Sequence, residues 1–173
     1  ELDYTLNYII TMINQEVSLI EDFNELNFFE ITKSTSSNVK ESILPNILLY
    51  QTVGGHFIPF TSESVINGRI PKIDIPVVIF HELAHQIGYA DEAEASFIGF
   101  IKAVENDNAN VRYSGYFFAL SNLLNEVKKN HKEKLEDYTS KLDDKVIYDI
   151  KYNIDFWSKY FNNFFDRIAN FLY

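Results

Sequence analysis

The sequence predicts a mainly helical α+β domain with one small β-hairpin. Apolar residues recur at steps of three and four over much of the 173-residue chain, the spacing of helices that bury one face. Between residues 54 and 73 this spacing gives way to short apolar segments separated by glycines and prolines, which is typical of strands and turns. A chain of this length with 46% hydrophobic and 16% aromatic residues can form one core. We therefore expect a single domain over residues 1–173.

The first elements are predicted to be helical. An apolar stripe predicts a helix over about residues 3–22; its members are Leu6, Ile10, Ile13, Val17 and Ile20. The polar run KSTSSN at residues 33–38 predicts a surface loop. A short helix should follow over about residues 39–50. Pro45 should kink or split it, because proline lacks the amide hydrogen that a helix interior needs.

The segment over residues 54–73 predicts the β-hairpin, from short runs such as HFIPF and SVI. Pro59 cannot donate to a strand ladder, so its strand, over residues 57–61, should lie at a sheet edge or at a bulge. An extended peptide could add to such an edge by main-chain hydrogen bonds. A hairpin that merely covers the core would account for the same residues equally well.

Two helices joined by a tight turn are predicted after the hairpin. Asp74 as an N-cap and Pro76 in the first turn begin the first of these helices, and Gly88 is placed to end it. Asp91 with Glu94 three residues later resembles a capping box, which begins a helix that runs to about residue 106.

Three more helices are predicted over residues 109–130, 132–142 and about 147–171. The last has an apolar stripe at helical spacing, formed by Ile147, Ile150, Ile154, Trp157, Phe161, Phe164, Ile168 and Phe171. Such a stripe usually faces a core, and we favour that interpretation over an interface with a partner or a membrane surface.

Charge and cysteine content exclude several classes of function. The formal net charge of −10 repels phosphate backbones, so we expect no nucleic-acid partner. The absence of cysteine excludes disulfides, a thiol nucleophile and thiolate metal ligands. Any metal must therefore be bound by His, Asp or Glu. The longest strictly apolar run, over residues 75–80, is far too short to span a bilayer.

The segment HELAH carries the predicted chemistry. His81 and His85 are four residues apart, so they project from one face of a helix and can bind one metal ion. Two imidazoles suit Zn²⁺, which has three protein ligands in catalytic sites and leaves a fourth position to water. Glu82 can then accept a proton from that water as a general base.

The third ligand is predicted to lie just after the glycine turn, at Asp91, Glu92 or Glu94. Asp91 falls where metzincin-like enzymes carry a ligand, but it is also the natural N-cap. Glu94 shares a helix face with large apolar residues. Glu92 shares a face with small residues, namely Ala95, Ser96, Gly99 and Ala103, which would let this helix approach the HELAH helix closely. We therefore rank Glu92 first.

Three segments between residues 49 and 124 carry a family resemblance: IPFTSESVINGRIP, IPVVIFHELAHQIGYADEAEASFIGF and VRYSGY. Together they resemble a bacterial family of membrane-anchored zinc peptidase-like proteins, domain of unknown function 3810. The E-x-E-A pattern at residues 92–95 is also similar to the gluzincin segment whose first glutamate binds zinc. The chain departs from the family at Ser96, where asparagine is common, and at Ser62, where glycine is common. Neither residue is a candidate ligand.

This resemblance implies a helical, zincin-like metallopeptidase domain that follows several N-terminal transmembrane helices, which are not among these residues. The full-length protein would then be anchored in the cell membrane, with this soluble domain on the extracytoplasmic side.

The motif RYSGY offers further candidate catalytic residues. The phenol of Tyr113 or Tyr116, or the guanidinium of Arg112, could stabilise the oxyanion that develops during hydrolysis. Tyrosines that pack a helix and hydrogen-bond their hydroxyls are the alternative interpretation. His56 and His131 have no partner at ligand spacing, and we interpret them as ordinary surface or loop residues.

These observations predict a zinc-dependent metallopeptidase that hydrolyses peptide bonds in peptide or protein substrates. One alternative is a catalytically silent zinc-binding module for sensing or interaction at the cell envelope. Another is a zinc hydrolase that acts on a non-peptide amide. The intact Glu82 argues against the silent module, because a pure binding site has no need of a base.

Overall fold

Helices form most of the structure, a computed structural model that describes residues 1–23, 31 and 39–172, with side chains of the last helix described as far as Phe161. The helices whose limits are described are α1 (Leu2–Glu16), α2 (Pro45–Tyr50), α3 (Ile75–Gln86), α4 (Glu92–Val104), α5 (Ala109–Asn130), α6 (Leu135–Thr139) and α7 (Asp144–Leu172). The strands are β1 (Val39–Glu41), β2 (Gly55–Ile58) and β3 (Glu63–Ile66). The predicted mainly helical α+β class is confirmed. The loop predicted at residues 33–38 lies outside the described residues.

Helix α1 ends at Glu16 and is therefore shorter than the helix predicted over residues 3–22. The Glu16 side chain is buried, and its two carboxylate oxygens accept hydrogen bonds of 2.8 and 2.9 Å from the Arg112 guanidinium on α5. Val17 and Ile20 still pack against the core, although they lie beyond the helix. The apolar spacing therefore continues where the helix does not.

Strands β2 and β3 form the predicted hairpin. They pair antiparallel, with Gly55 opposite Ile66 and Ile58 opposite Glu63. The sheet order is β1-β3-β2, so β2 is an edge strand among the described residues, as predicted. It ends at Ile58, immediately before Pro59 and thus earlier than predicted, because proline cannot continue the ladder.

Residues 39–50 do not form the single helix that the sequence predicts. Val39–Glu41 is strand β1, which pairs in parallel with β3. Pro45 does not kink a helix but begins one, since α2 starts at this residue. A missing amide hydrogen costs nothing there, because the first amides of a helix have no partner within it.

Helix α3 has the predicted limits. Pro76 lies in its first turn, and Gly88 follows its last turn with a φ of +110°, a conformation that favours glycine. Asp74 occupies the N-cap position, but its side chain does not cap the helix as predicted. The first-turn amide of Val77 donates instead to the Ser114 hydroxyl of α5, at 3.2 Å.

Helix α4 begins at its predicted cap, where Asp91 Oδ1 accepts hydrogen bonds of 2.9 and 3.0 Å from the amides of Ala93 and Glu94. It packs against α3 on one side and α5 on the other. An ideal Cβ on Gly99 would lie 3.0 Å from the backbone nitrogen of His81, so α4 and α3 approach closely. The predicted small face is buried at Ala95, Gly99 and Ala103.

Among the described residues, two clusters of buried side chains form the core. The first lies between α1, α5 and the helices that follow α5, and its largest fully buried members are Leu6, Ile13, Tyr113, Leu120, Val127 and Val146. The second lies between α3, β3 and their neighbours and includes Leu49, Ile66, Ile70, Ile75, Ile79, Phe80 and Val111. Apolar residues of α3 belong to the second cluster, and this packing holds the helix that carries HELAH in place.

Helix α7 packs on both clusters, so the predicted core-facing role of its stripe holds in part. Ile147 and Ile150 pack on the first cluster, and Phe156, Trp157 and Tyr160 pack on the second. Ile154 and Phe161 are exposed, contrary to the prediction. The side chains of Phe164, Ile168 and Phe171 lie outside the described residues. The helix predicted at 132–142 is a 3-10 turn (Lys132–Lys134) followed by the short α6.

Within the described residues, no helix combines the length and apolarity needed to cross a membrane.

Candidate metal centre

Helix α3 brings two imidazoles together. His81 and His85 are one helical turn apart, and their Nε2 atoms lie 3.1 Å from each other. Their side chains are 21% and 13% exposed, so both are largely shielded while their Nε2 atoms face a common point. The sequence prediction that the two histidines share one face is confirmed.

Glu92 completes a cluster of three possible ligands. It is the first residue of α4, and its carboxylate oxygens lie 3.2 Å from His81 Nε2 and 3.6 Å from His85 Nε2. Among the described residues, these three side chains form the group of His, Asp and Glu that could hold a metal ion. Asp91 is engaged as the N-cap, and Glu94 is not in the group. The structure thus brings together the set that the small helix face favours.

The candidate ligand atoms lie close enough together to share one ion. Zinc bonds of 2.0 to 2.2 Å at tetrahedral angles place neighbouring ligand atoms about 3.3–3.6 Å apart. The two Nε2 atoms are 3.1 Å apart, and Glu92 approaches them with different oxygens, Oε2 at 3.2 Å from His81 and Oε1 at 3.6 Å from His85. With one atom from each residue, the three lie within 4.8 Å of one another. The chemistry of two imidazoles and one carboxylate also fits zinc. These residues therefore fit a zinc ion with three protein ligands.

Each imidazole is oriented through its other nitrogen. His85 Nδ1 donates to the carbonyl of Tyr89 at 2.7 Å, which leaves its Nε2 with a free lone pair. His81 Nδ1 lies 3.2 Å from the Ser96 hydroxyl of α4. Burial and the neighbouring His85 lower the pKa of His81, which favours the neutral ring that binds metals. Such outer hydrogen bonds are typical of metal-binding histidines.

Glu82 lies beside the histidines in a buried position. It is 5% exposed, and its Oε2 has no hydrogen-bond partner among the described residues. Burial raises the pKa of Glu82 to about 7, an effect that nearby Glu92 increases and His85 reduces. A carboxylate with this pKa can accept a proton near neutral pH and release it again. This is the property that a general base needs.

The hairpin supports Glu82 from the side. The Ser64 hydroxyl of β3 donates to the Glu82 carbonyl at 3.1 Å and so ties the sheet to α3. An ideal Cβ on Gly55 would lie 2.9 Å from Glu82 Cγ and 3.0 Å from its Oε1. Only glycine leaves room for the carboxylate here, so strand β2 packs directly against the Glu82 side chain.

An open cleft of about 950 Å³ contains the cluster. The candidate ligands and Glu82 line it together with strand β2, Pro59 and residues of α5 and α7. Phe117 and Trp157 are among the apolar residues that line it. The cleft is large enough for a peptide-sized ligand.

Asp74 also lines this cleft, next to α7. Asn153 Nδ2 donates to both Asp74 carboxylate oxygens at 2.8 Å, and the Trp157 indole donates to Oδ2 at 3.1 Å. Burial raises the pKa of Asp74 to about 6, although these two donors lower it in part. Asp74 is therefore a cleft residue, which sequence reasoning interpreted only as a helix cap.

The tyrosines predicted as catalytic lie elsewhere. Tyr113 is fully buried in the first core cluster, and its hydroxyl donates to Asp149 at 2.8 Å. Tyr116 is also buried there and packs against Phe100. Neither residue lines the cleft, because both point towards α1 and the C-terminal helices rather than towards α3. The structure does not bring either phenol to the candidate ligands.

The rest of RYSGY also serves packing. Arg112 forms the ion pair with Glu16 and also donates to the carbonyls of Asn106 and Asp107 at 3.0 and 2.7 Å. Gly115 allows α5 to meet α4, since an ideal Cβ there would lie 2.8 Å from the Ala103 Cβ. This motif thus holds the helices around the site, and its two tyrosines do not line the cleft.

Sequence reasoning missed Gly55, Ser96 and Asp74 as parts of the site. The glycine pair before the hairpin was a signal of close approach, but it did not identify Glu82 as the neighbour. His56 lies in strand β2 and lines the cleft, and its Nδ1 is buried with no hydrogen-bond partner among the described residues, so it is not the ordinary surface or loop histidine predicted. His131 follows α5 at the surface, as predicted.

Comparison with known proteins gives one informative result. A family model described as a protein of unknown function, DUF3810, matches residues 8–173. No curated protein and no solved structure matches the chain at a significant level.

Proposed function

The chain belongs to the DUF3810 family, and we propose that its domain is a zinc-dependent hydrolase of peptide bonds, with His81, His85 and Glu92 as zinc ligands and Glu82 as general base. The observation that carries this proposal is the convergence of two imidazoles and one carboxylate, with one atom from each within 4.8 Å of the others, beside the buried carboxylate of Glu82. The three ligands alone would suit a structural metal. The adjacent base supports catalysis.

Zinc at this site would supply Lewis acidity, which lowers the pKa of a bound water towards 7 and polarises a substrate carbonyl. The protein side chains have separate tasks. The two histidines, held at Nδ1 by Tyr89 and Ser96, keep their Nε2 atoms aimed at one point. Glu82 accepts the proton of the attacking water and passes it to the leaving amine.

Peptides are the proposed substrates because of the shape of the cleft. Strand β2 lies along it with an edge that no described strand pairs, so an extended chain could add there through main-chain hydrogen bonds. The cleft is also open and has a volume of about 950 Å³, which leaves room for a linear substrate. Glu82 favours an enzyme over a silent binding module, since an unpaired buried carboxylate is costly to retain.

Metal content tests the ligand assignment. We expect the purified domain to bind about one zinc ion per chain. Glu92→Gln should lose it, whereas Glu94→Gln, a matched change on the same helix turn, should keep it. Loss of zinc from both variants, or from neither, would contradict the assignment. A wild-type protein that takes up no zinc would refute the proposal as a whole.

Peptide hydrolysis tests the catalytic assignment. A pool of synthetic peptides of mixed sequence, followed by mass spectrometry, should be cleaved by the zinc-loaded protein. Glu82→Gln should lower the rate by a factor of about 10²–10⁴, the usual contribution of a general base, while zinc content stays unchanged. Undiminished cleavage by this variant would exclude Glu82 as the base.

A further inference from the structure

One carboxylate of the cleft, that of Asp74, has no part in the proposed chemistry. We infer that Asp74 forms the base of a specificity pocket that accepts a cationic side chain, lysine or arginine, next to the scissile bond. This inference rests on the proposed function, because it assigns a substrate class to the same cleft. It is carried by the position of Asp74, by the pocket walls and by its unmatched charge.

The position of Asp74 suits a side chain that extends from the metal site. Asp74 and His81 are seven residues apart and thus on one face of α3, two turns or about 10 Å from each other. Both line the same cleft. The residue beside a scissile carbonyl begins about 3–4 Å further on, and a lysine or arginine side chain reaches about 6–7 Å more. The two lengths together span the gap.

Several of the side chains that line the cleft together with Asp74 and His81 are apolar. Val77 and Val78 lie on α3 between Asp74 and His81, and Phe117 and Trp157 face the cleft from α5 and α7. The methylene stem of lysine or arginine packs well against such walls while its charged head reaches a polar end. An uncharged polar side chain would gain less from the same walls.

The carboxylate at the end of the pocket has no opposite charge near it. Its described hydrogen bonds come from two neutral groups, Asn153 and Trp157, and no ion pair among the described residues includes Asp74. These donors hold both oxygens in place but leave room for another, because a carboxylate has about four acceptor positions. Burial disfavours an unpaired carboxylate, and a bound cation would compensate it.

The only tryptophan of the chain, Trp157, gives a direct readout that does not depend on hydrolysis. The probes are Nα-acetyl-arginine amide and Nα-acetyl-citrulline amide, which have nearly the same shape but differ in charge. We expect the arginine compound to change the Trp157 fluorescence with at least 10-fold higher affinity than the citrulline compound, in protein with or without zinc. Equal affinities, or no change with either compound, would overturn the inference.

Two variants locate the effect. Asp74→Asn should abolish the preference for arginine, whereas Asp155→Asn, which removes an exposed carboxylate on α7 close to Asn153, should preserve it. A preference that survives Asp74→Asn would refute the assignment. Should that variant fail to fold, the indole N–H resonance of Trp157 in the wild type decides, because it should shift with the arginine compound and not with the citrulline compound. Binding of arginine without any peptide cleavage would leave the pocket established and reject only the proposed hydrolysis.

Discussion

The close contact between α3 and α4, the helices that carry the proposed zinc ligands, offers the sharpest test of the proposed site. Gly99 of α4 faces the backbone of His81, and an added Cβ would lie 3.0 Å from its nitrogen and 3.2 Å from its Cα. Ordinary contacts of this kind begin near 3.4 Å. Gly99→Ala must therefore separate the helices by a few tenths of an ångström. The two histidines, both on α3, would keep their spacing, whereas Glu92 on α4 would move away from them.

The expected change in the free energy of unfolding follows from two opposing effects, and the expected change in zinc affinity follows from the displacement of Glu92. Overpacking costs about 1–3 kcal/mol, and the better helix propensity of alanine returns about 1 kcal/mol. The free energy of unfolding should thus fall by about 0–2 kcal/mol. Metal ligands tolerate displacements of only about 0.2 Å. We expect zinc affinity to fall by about 10–100-fold, as it does when the residues that orient ligands are changed.

Gly115→Ala is the matched control. It introduces the same methyl group between two helices, where the Cβ would lie 2.8 Å from that of Ala103, but at the far end of α4 from Glu92. Urea unfolding should show a similar or larger loss of stability, and competition with a chromophoric chelator should show zinc affinity unchanged. Wild-type affinity in Gly99→Ala, or an equal loss in both variants, would refute the reasoning.

Three further predictions concern residues around the site. Arg112→Met leaves the Glu16 carboxylate buried without its guanidinium, so the free energy of unfolding in urea should fall by about 3 kcal/mol; a loss below 1 kcal/mol would contradict this. Because burial raises the pKa of Asp74 from 3.8 to about 6, its contribution to stability is complete below pH 3.8 and is lost as the pH rises through 6. The free energy of unfolding of Asp74→Asn should therefore rise by about 2 kcal/mol relative to that of the wild type between pH 4 and 7. Parallel stability profiles for the two proteins would reject the raised pKa of Asp74. Tyr113→Phe loses the hydrogen bond to Asp149, which should cost about 1 kcal/mol of stability and leave zinc content unchanged; loss of zinc would show that the phenol does act at the site.

Features that depend on local chemistry were predictable from the sequence. Helix α5 has its predicted limits, and Asp91 caps α4 through its own side chain. Gly88 provides a turn that other residues form poorly. The preference for Glu92 over Glu94 also came from local pattern, because only the face with small residues can approach α3. Spacing and side-chain size were sufficient in each case.

Features that depend on distant partners were not predictable. Strand β1 exists because β3, later in the chain, pairs with it. Asp74 looked like a cap, and its actual partners, Asn153 and Trp157, lie about eighty residues further along. Tyr113 lies on the second helix after the HELAH helix, and the docking of α5 turns it towards α1. The direction in which a helix faces is a property of tertiary packing.

The exposure of Glu92 has a consequence for how the protein would acquire the proposed zinc ion. Its side chain is 82% exposed, whereas both histidines are largely covered, so two of the proposed ligands are prearranged within the fold and the third lies on the solvent side. The core clusters pack without any contribution from these three side chains. We expect the apoprotein to fold first, to keep its circular dichroism after chelation and to reload reversibly from solution. The supply of metal, rather than the completion of folding, would then decide when this domain becomes competent.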